Sequence, residues 1–224
     1  MSPIDPGAVP VAGGSRSGLA AAMSKHHHLI PLAGLLGALA FAPAALAGQP
    51  PRDDLNPPPP DFYTCAATGP QTICRASLSF HEDPVMDDEL CPDFTVVDQG
   101  DVRQEFVRRY DANGDFVERV KHETWTNSFW SNPLTGNTIP YTQRGTQTDR
   151  ATVPGDLDSI RSTLVGENIY TDPVTHQKVM KSAGRTVIGP DGTLESSSGQ
   201  QPFIDKFVFG DSSAFDALCA ALAR

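Results

Sequence analysis

FVERVKHETWTNSFWSNPLTGNTIPYTQRGTQTD, residues 116–149, decides the fold. Two runs rich in Val, Thr, Trp, Phe and Tyr are split by Pro133-Leu134-Thr135-Gly136. β-Branched and aromatic side chains suit a pleated, half-buried surface, and a short Gly-containing connection joins antiparallel neighbours. The stretch is therefore expected to be the central hairpin of an all-β domain. Gly136 is placed to take the left-handed conformation of such a turn.

Upstream, Asp111-Ala112-Asn113-Gly114-Asp115 sets an Asn-Gly pair between two strand-like runs, a strong hairpin signal because both residues tolerate positive φ. Earlier strands are expected at 71–80, 93–99 and 102–110, with the acidic, Pro84-containing segment 81–89 as a loop. Downstream, Pro154-Gly155-Asp156 leads to strands at 159–171 and 177–188, and Pro190-Asp191-Gly192 turns into a short strand at 193–197. Residues 198–202 read as a polar loop, and 203–209 (FIDKFVF), which alternates, as the final strand. The period then changes. Phe215, Leu218, Cys219 and Leu222 fall at i, i+3, i+4 and i+7, one face of a helix that Ser212 or Ser213 can cap. Together these signals predict an antiparallel meander forming a barrel-like or sandwich domain with a short C-terminal helix. No internal repeat stands out.

The first 47 residues are expected to stay out of this fold. Lys25-His26-His27-His28 precedes an apolar run over 29–45, and Ala45-Leu46-Ala47 has the small-x-small form of a signal-peptidase site. Met23 reads as the initiator, since MSKHHH is an ordinary short basic start. The run contains Pro31 and Pro43 and is at or below the ~20 residues that span a bilayer, so no stable membrane insertion is expected once the signal is removed. Gly48, the first residue after the cleavage site, is not the Cys of a lipid anchor. Residues 48–61 (GQPPRDDLNPPPPD) are Pro-rich and polar and read as a linker, followed by a single β-rich domain at 62–224.

The chain carries a formal net charge of −10, which argues against nucleic acid as a partner. Its four cysteines, Cys65, Cys74, Cys91 and Cys219, all follow the leader. An even number in an exported chain predicts two disulfides, with three connectivities open. C-x₂-C pairs suited to zinc are absent.

Three segments carry a resemblance: Ser131-Asn132-Pro133-Leu134-Thr135-Gly136-Asn137-Thr138, then Ala183-Gly184-Arg185-Thr186-Val187-Ile188-Gly189-Pro190-Asp191-Gly192, then Phe215-Asp216-Ala217-Leu218-Cys219-Ala220-Ala221-Leu222. Together they resemble a group of uncharacterised secreted β-rich proteins of high-GC Gram-positive bacteria, over roughly residue 91 onward. The resemblance implies an exported β fold with no established activity, catalytic residue or cofactor. It also implies the pairing Cys91–Cys219, which leaves Cys65–Cys74.

Several motifs invite chemistry and lose it on inspection. Asn132-Pro133-Leu134-Thr135-Gly136 resembles a cell-wall sorting signal but lies mid-chain among strands, where Pro and Gly serve a turn. Asp111–Asp115 offers the oxygens of a calcium loop with Gly114 at the wrong position and His122 where the bidentate Glu belongs. The acidic group His81, Glu82, Asp83, Asp87, Asp88 and Glu89 reads as a solvated run. His81, His122 and His176 show no zinc spacing, no G-x-S-x-G elbow follows the leader, and no phosphate loop follows a strand. No metal, cofactor or catalytic residue is therefore assigned.

The suggestive set is Trp125, Trp130 and Tyr141, aromatic residues able to line a ligand cleft, with Glu123 and Arg144 as polar anchors. Strand parity puts Trp125 and Trp130 on opposite faces unless a bulge intervenes. The leading expectation is an exported, non-enzymatic β domain that binds a small apolar molecule, a glycan or another cell-envelope component. The alternatives are a secreted hydrolase using carboxylates near Glu123, and a structural or interaction module without a pocket.

Overall fold

The computed structural model describes residues 52–224. The expected signal peptide, the start at Met23 and the first four linker residues lie outside the described residues. Eight strands form one antiparallel sheet in chain order: β1 (Thr64–Thr68), β2 (Gln71–Cys91), β3 (Phe94–Tyr110), β4 (Phe116–Ser131), β5 (Thr138–Ala151), β6 (Ile160–Thr171), β7 (Lys178–Ile188) and β8 (Leu194–Gln200). The all-β meander is thus present. β1 and β8 are its two edges, so the sheet is not closed into a barrel. Two helices follow, α1 (Pro202–Phe209) and α2 (Ser213–Ala223).

Four segments differ from their sequence reading: Thr64–Thr68 forms β1 where no strand is expected, residues 198–200 extend β8 into the expected polar loop, and two longer stretches change character. Residues 81–89, expected to loop out, belong to β2, which runs on to Cys91. Pro84 does not end the strand because the ladder skips it. Glu82 pairs with Gly100 and Val85 with Asp98, and the bulge between them takes the residue that lacks an N–H. Residues 203–209, expected as a strand, form α1. Pro202 occupies its first turn, and Gly210, at φ 77°, closes its end by donating from its N–H to the Lys206 carbonyl at 3.1 Å. FIDKFVF satisfies both periods, and these flanking residues choose the helix: Phe203 and Phe207, four apart, pack on one side.

The strand register separates two faces. On one, here called inner, apolar side chains gather at the two ends of the strands. The first cluster holds Trp130, Tyr141, Tyr170, Ile139 and Met180 beneath α1 and α2. The α2 stripe is as its spacing predicts, with Phe215, Leu218 and Leu222 fully buried, each contributing about 1.5–3 kcal/mol. The second cluster, at the opposite strand ends, holds Leu55, Tyr63, Tyr110 and Phe116. Leu55 belongs to the expected linker. Residues 52–61 are tied down there, with the Asn56 N–H donating to the Gly114 carbonyl at 2.8 Å and the Phe116 N–H to the Asn56 carbonyl at 2.8 Å. One disulfide staples each cluster: Cys91–Cys219 the first and Cys65–Cys74 the second.

A repeat that the sequence reading misses joins β4 to β5 and β6 to β7. Asn132-Pro133-Leu134-Thr135-Gly136-Asn137 and Asp172-Pro173-Val174-Thr175-His176-Gln177 form the same turn. Asn132 and Asp172 each accept from the N–H two residues on, at 2.9 and 2.8 Å. Gly136 at φ 76° and His176 at φ 58° take the left-handed position. Both turns hold the end of α2. Asn132 Nδ2 and Thr135 Oγ1 donate to the Leu222 carbonyl at 3.2 and 2.9 Å, satisfying a helix-end acceptor, and Asp172 accepts from Arg224.

Candidate functional site

The expected binding set divides differently from its sequence reading. A bulge between Trp125 and Ser128 intervenes in β4: Trp125 pairs with Gln143 and Ser128 with Tyr141, which brings Trp125, Ser128 and Trp130 to the inner face. Trp125 and Trp130 therefore do not point to opposite sides. Asn127 carries the bulge at φ 51°, a conformation Asn tolerates better than most residues, and its Nδ2 donates to Asp101 Oδ2 at 2.8 Å. Gly100 on β3 makes room, since a Cβ there would overlap Ser128 Oγ.

The bulge assembles an aromatic cluster, but the cluster is core. Trp130 lies 4.7 Å from Tyr170 and 6.2 Å from Tyr141 between ring centroids, and Phe203 of α1 meets it edge-on. Trp130 is 3% and Tyr141 5% exposed, so neither lines an open cleft. One carboxylate sits among them. Asp98 accepts from the Tyr141 hydroxyl at 2.9 Å, and burial pushes its pKa up to about 6 against the hydrogen bond from Tyr141. The Trp130 indole N–H is buried beside it without a partner in hydrogen-bond geometry.

Between the two apolar clusters the inner face is polar. Glu123 Oε1 accepts from Trp125 Nε1 at 3.0 Å and Gln143 Nε2 at 3.2 Å, while Oε2 accepts from Gln104 Nε2 at 2.5 Å and Lys121 Nζ at 3.2 Å. Burial raises its pKa, and the Lys121 ammonium with the hydrogen bonds from Trp125 and Gln104 outweighs that, leaving it below the ordinary glutamate value. Asp149, 1% exposed, accepts from Arg119 Nε at 2.7 Å, Gln147 at 2.9 Å and Ser162 at 2.6 Å. Both carboxylates are saturated with donors. They hold strands together and leave no lone pair directed at a substrate.

Arg144 stands on the other, outer face, apart from the four remaining members of the set. There it borders a groove of about 720 Å³. The floor is a register row across five strands, Glu123–Gly145–Gly166–Gly184–Gly199, seen from its backbone side. Four neighbouring strands thus lack a Cβ at the same level. The sheet curls toward its inner face here: a Cβ on Gly166 would come within 3.0 Å of the Arg144 carbonyl oxygen, and one on Gly184 would overlap that of Ser198. Curling toward the inner face spreads the side chains on the outer one, and the groove opens between two rows of them. One wall is His122, Thr146, Val165, Arg185 and Ser198; the other includes Thr124, Arg144 and Glu167.

Val165 gives the walls one exposed apolar side chain, and their polar groups are only partly tied. His122 Nδ1 meets Thr146 Oγ1 at 2.9 Å. Glu167 binds Lys181 at 3.2 Å and Arg144 at 3.6 Å, and these two cations, Lys181 foremost, hold its carboxyl below the ordinary range. His122 and Glu123 occupy opposite faces, as strand parity predicts. The glycine row escapes sequence reading because its members come from four different strands, 145, 166, 184 and 199, and align only once register is known. Compared with known proteins, the chain matches no family model, no curated protein and no solved structure. Among the described residues no helix is long and apolar enough to cross a membrane, and no group of three or more His, Cys, Asp or Glu side chains is placed to hold a metal ion.

Proposed function

We propose that this chain is an exported, non-enzymatic binding domain that holds a hydroxyl-rich ligand, a glycan of the cell envelope, across the outer groove. The observation that carries the reading is the groove itself: an open trough over bare backbone, walled by hydroxyl, imidazole, guanidinium and carboxylate groups. Such groups offer donors and acceptors at several points along an extended polar ligand, and the glycine floor lets that ligand approach the sheet closely. Export is supported by the two disulfides and by the apolar leader with its small-x-small site.

The other expectations find less support. A small apolar ligand would need the aromatic cluster, which α1 and α2 already cover. A hydrolase built on Glu123 would need a carboxyl free to give or take a proton, and this one is held ionised by four donors. Titration calorimetry with oligosaccharides prepared from bacterial envelopes tests the reading, using Thr124→Trp to fill the groove from an exposed wall position. The expected result is at least tenfold weaker binding with an unchanged melting midpoint. Equal affinity for the wild type and the filled variant would refute the site.

A further inference from the structure

The outer face carries many cations, and most of them pair closely with a carboxylate. Arg103 pairs with Glu105 at 2.7 Å, Arg109 and Arg150 share Glu118, Arg161 pairs with Glu195 at 2.5 Å, and Lys181 takes Glu167 at 3.2 Å. Three guanidiniums depart from this pattern: Arg75 on β2, which among the described residues pairs with no carboxylate, and Arg144 and Arg185, which both border the groove. Arg144 reaches only the far side of an already engaged Glu167, at 3.6 Å, with its side chain 79% exposed. Among the described residues, Arg185 pairs with no carboxylate. The groove is thus a local excess of positive charge on a chain of net charge −10.

Their placement is fixed by register. Arg144 precedes Gly145 and Arg185 follows Gly184, and those glycines lie two strands apart in the same row. Two strand spacings and a two-residue offset put their Cα atoms roughly 12 Å apart, on opposite walls. We infer that the groove's ligand is a sparsely anionic glycan, whose separated carboxylate or phosphate groups are bridged by Arg144 and Arg185. The inference rests on the groove reading above and adds the ligand's charge. Guanidinium suits either oxyanion because its fork donates two parallel hydrogen bonds. The chain's overall negative charge repels densely charged polyanions, which selects for ligands with few, spaced charges.

The test uses a hyaluronan hexasaccharide, with one carboxylate on every second sugar, its carboxyl-reduced counterpart, a short poly(glycerol phosphate) and inorganic polyphosphate. Binding is measured to the full domain and to its Arg185→Gln and Arg144→Gln variants. Both side chains lie on the surface, and unchanged melting midpoints confirm that each variant is folded. The spaced anions, carboxylate or phosphate, are expected to bind at least tenfold more tightly than the reduced sugar and than polyphosphate. Each variant should lose about tenfold toward the anions and nothing toward the reduced sugar; which spaced anion is favoured identifies the source. Equal binding of the hexasaccharide and its reduced form overturns the charge inference and leaves the groove reading standing. Tight polyphosphate binding overturns the spacing argument. If no glycan, including the envelope oligosaccharides, binds at all, the groove reading falls and takes this inference with it.

Discussion

Replacing Asp98 by Asn should stabilise the protein at neutral pH and do nothing in acid, the reverse of the usual effect of losing a hydrogen-bonded carboxylate. The Asp98 carboxyl lies among Trp130, Tyr141 and Tyr170, and burial raises its pKa from 3.8 to about 6. The folded state therefore holds the proton more tightly than the unfolded chain. Stability from this group is fully present below pH 3.8 and is lost as the pH rises through 6. A difference of about 2 units corresponds to roughly 3 kcal/mol between those limits. Asn imitates the neutral acid, and its carbonyl can still accept from the Tyr141 hydroxyl. Urea denaturation of both proteins at intervals from pH 3.5 to 7.5 gives the comparison. The variant should exceed the wild type by up to about 3 kcal/mol above pH 6.5, with the two curves converging near pH 4. A difference independent of pH, or one that grows toward acid, would refute the placement of an ionised carboxylate in an apolar site.

Asp172 behaves oppositely: Arg224, with the Val174 N–H, lowers its pKa to about 2, so its contribution is present above pH 3.8 and disappears as the pH falls toward 2, and Asp172→Asn should flatten that acid limb in the same denaturation series. Removing the Cys91–Cys219 bridge by double Ser substitution should cost about 5 kcal/mol, against about 3 for Cys65–Cys74, because the first closes a sequence separation of 128 residues and the second one of 9; chemical denaturation of the two variants checks the order. Gly184→Ala should displace β8, since the new methyl overlaps the Ser198 carbonyl. Hydrogen exchange should then show lost protection confined to β8 and the facing half of β7, with the β2–β3 amides unchanged.

Most of the sheet was legible because its signals are local. Asn113-Gly114, Pro133-Leu134-Thr135-Gly136 and Pro190-Asp191-Gly192 each mark a reversal, and the runs between them are rich in strand-forming residues. The α2 stripe was equally plain. What escaped depends on partners distant in sequence. Residues 81–89 look like a loop until β3 supplies the ladder that steps past Pro84. FIDKFVF reads as a strand until Pro202 and Gly210 are weighed as helix boundaries. The face of Trp130 turned on Asn127, one residue in a left-handed conformation that no periodicity announces. The groove was the least legible feature, since its glycine row is a coincidence of register among four strands, and of the expected site only the Arg144 side chain and the Glu123 backbone border it.

The polar band across the inner face has a consequence for how the molecule comes apart. β3, β4, β5 and β6 pass through both apolar clusters, yet between those clusters they are joined by ion pairs and amide hydrogen bonds rather than by close-packed hydrocarbon. Loss of packing at one end therefore has no continuous apolar path along which to spread. The protein is expected to melt as a beam fails when clamped at both ends, one clamp releasing before the other. Because each clamp holds its own disulfide, reducing one bridge is expected to loosen that end ahead of the other.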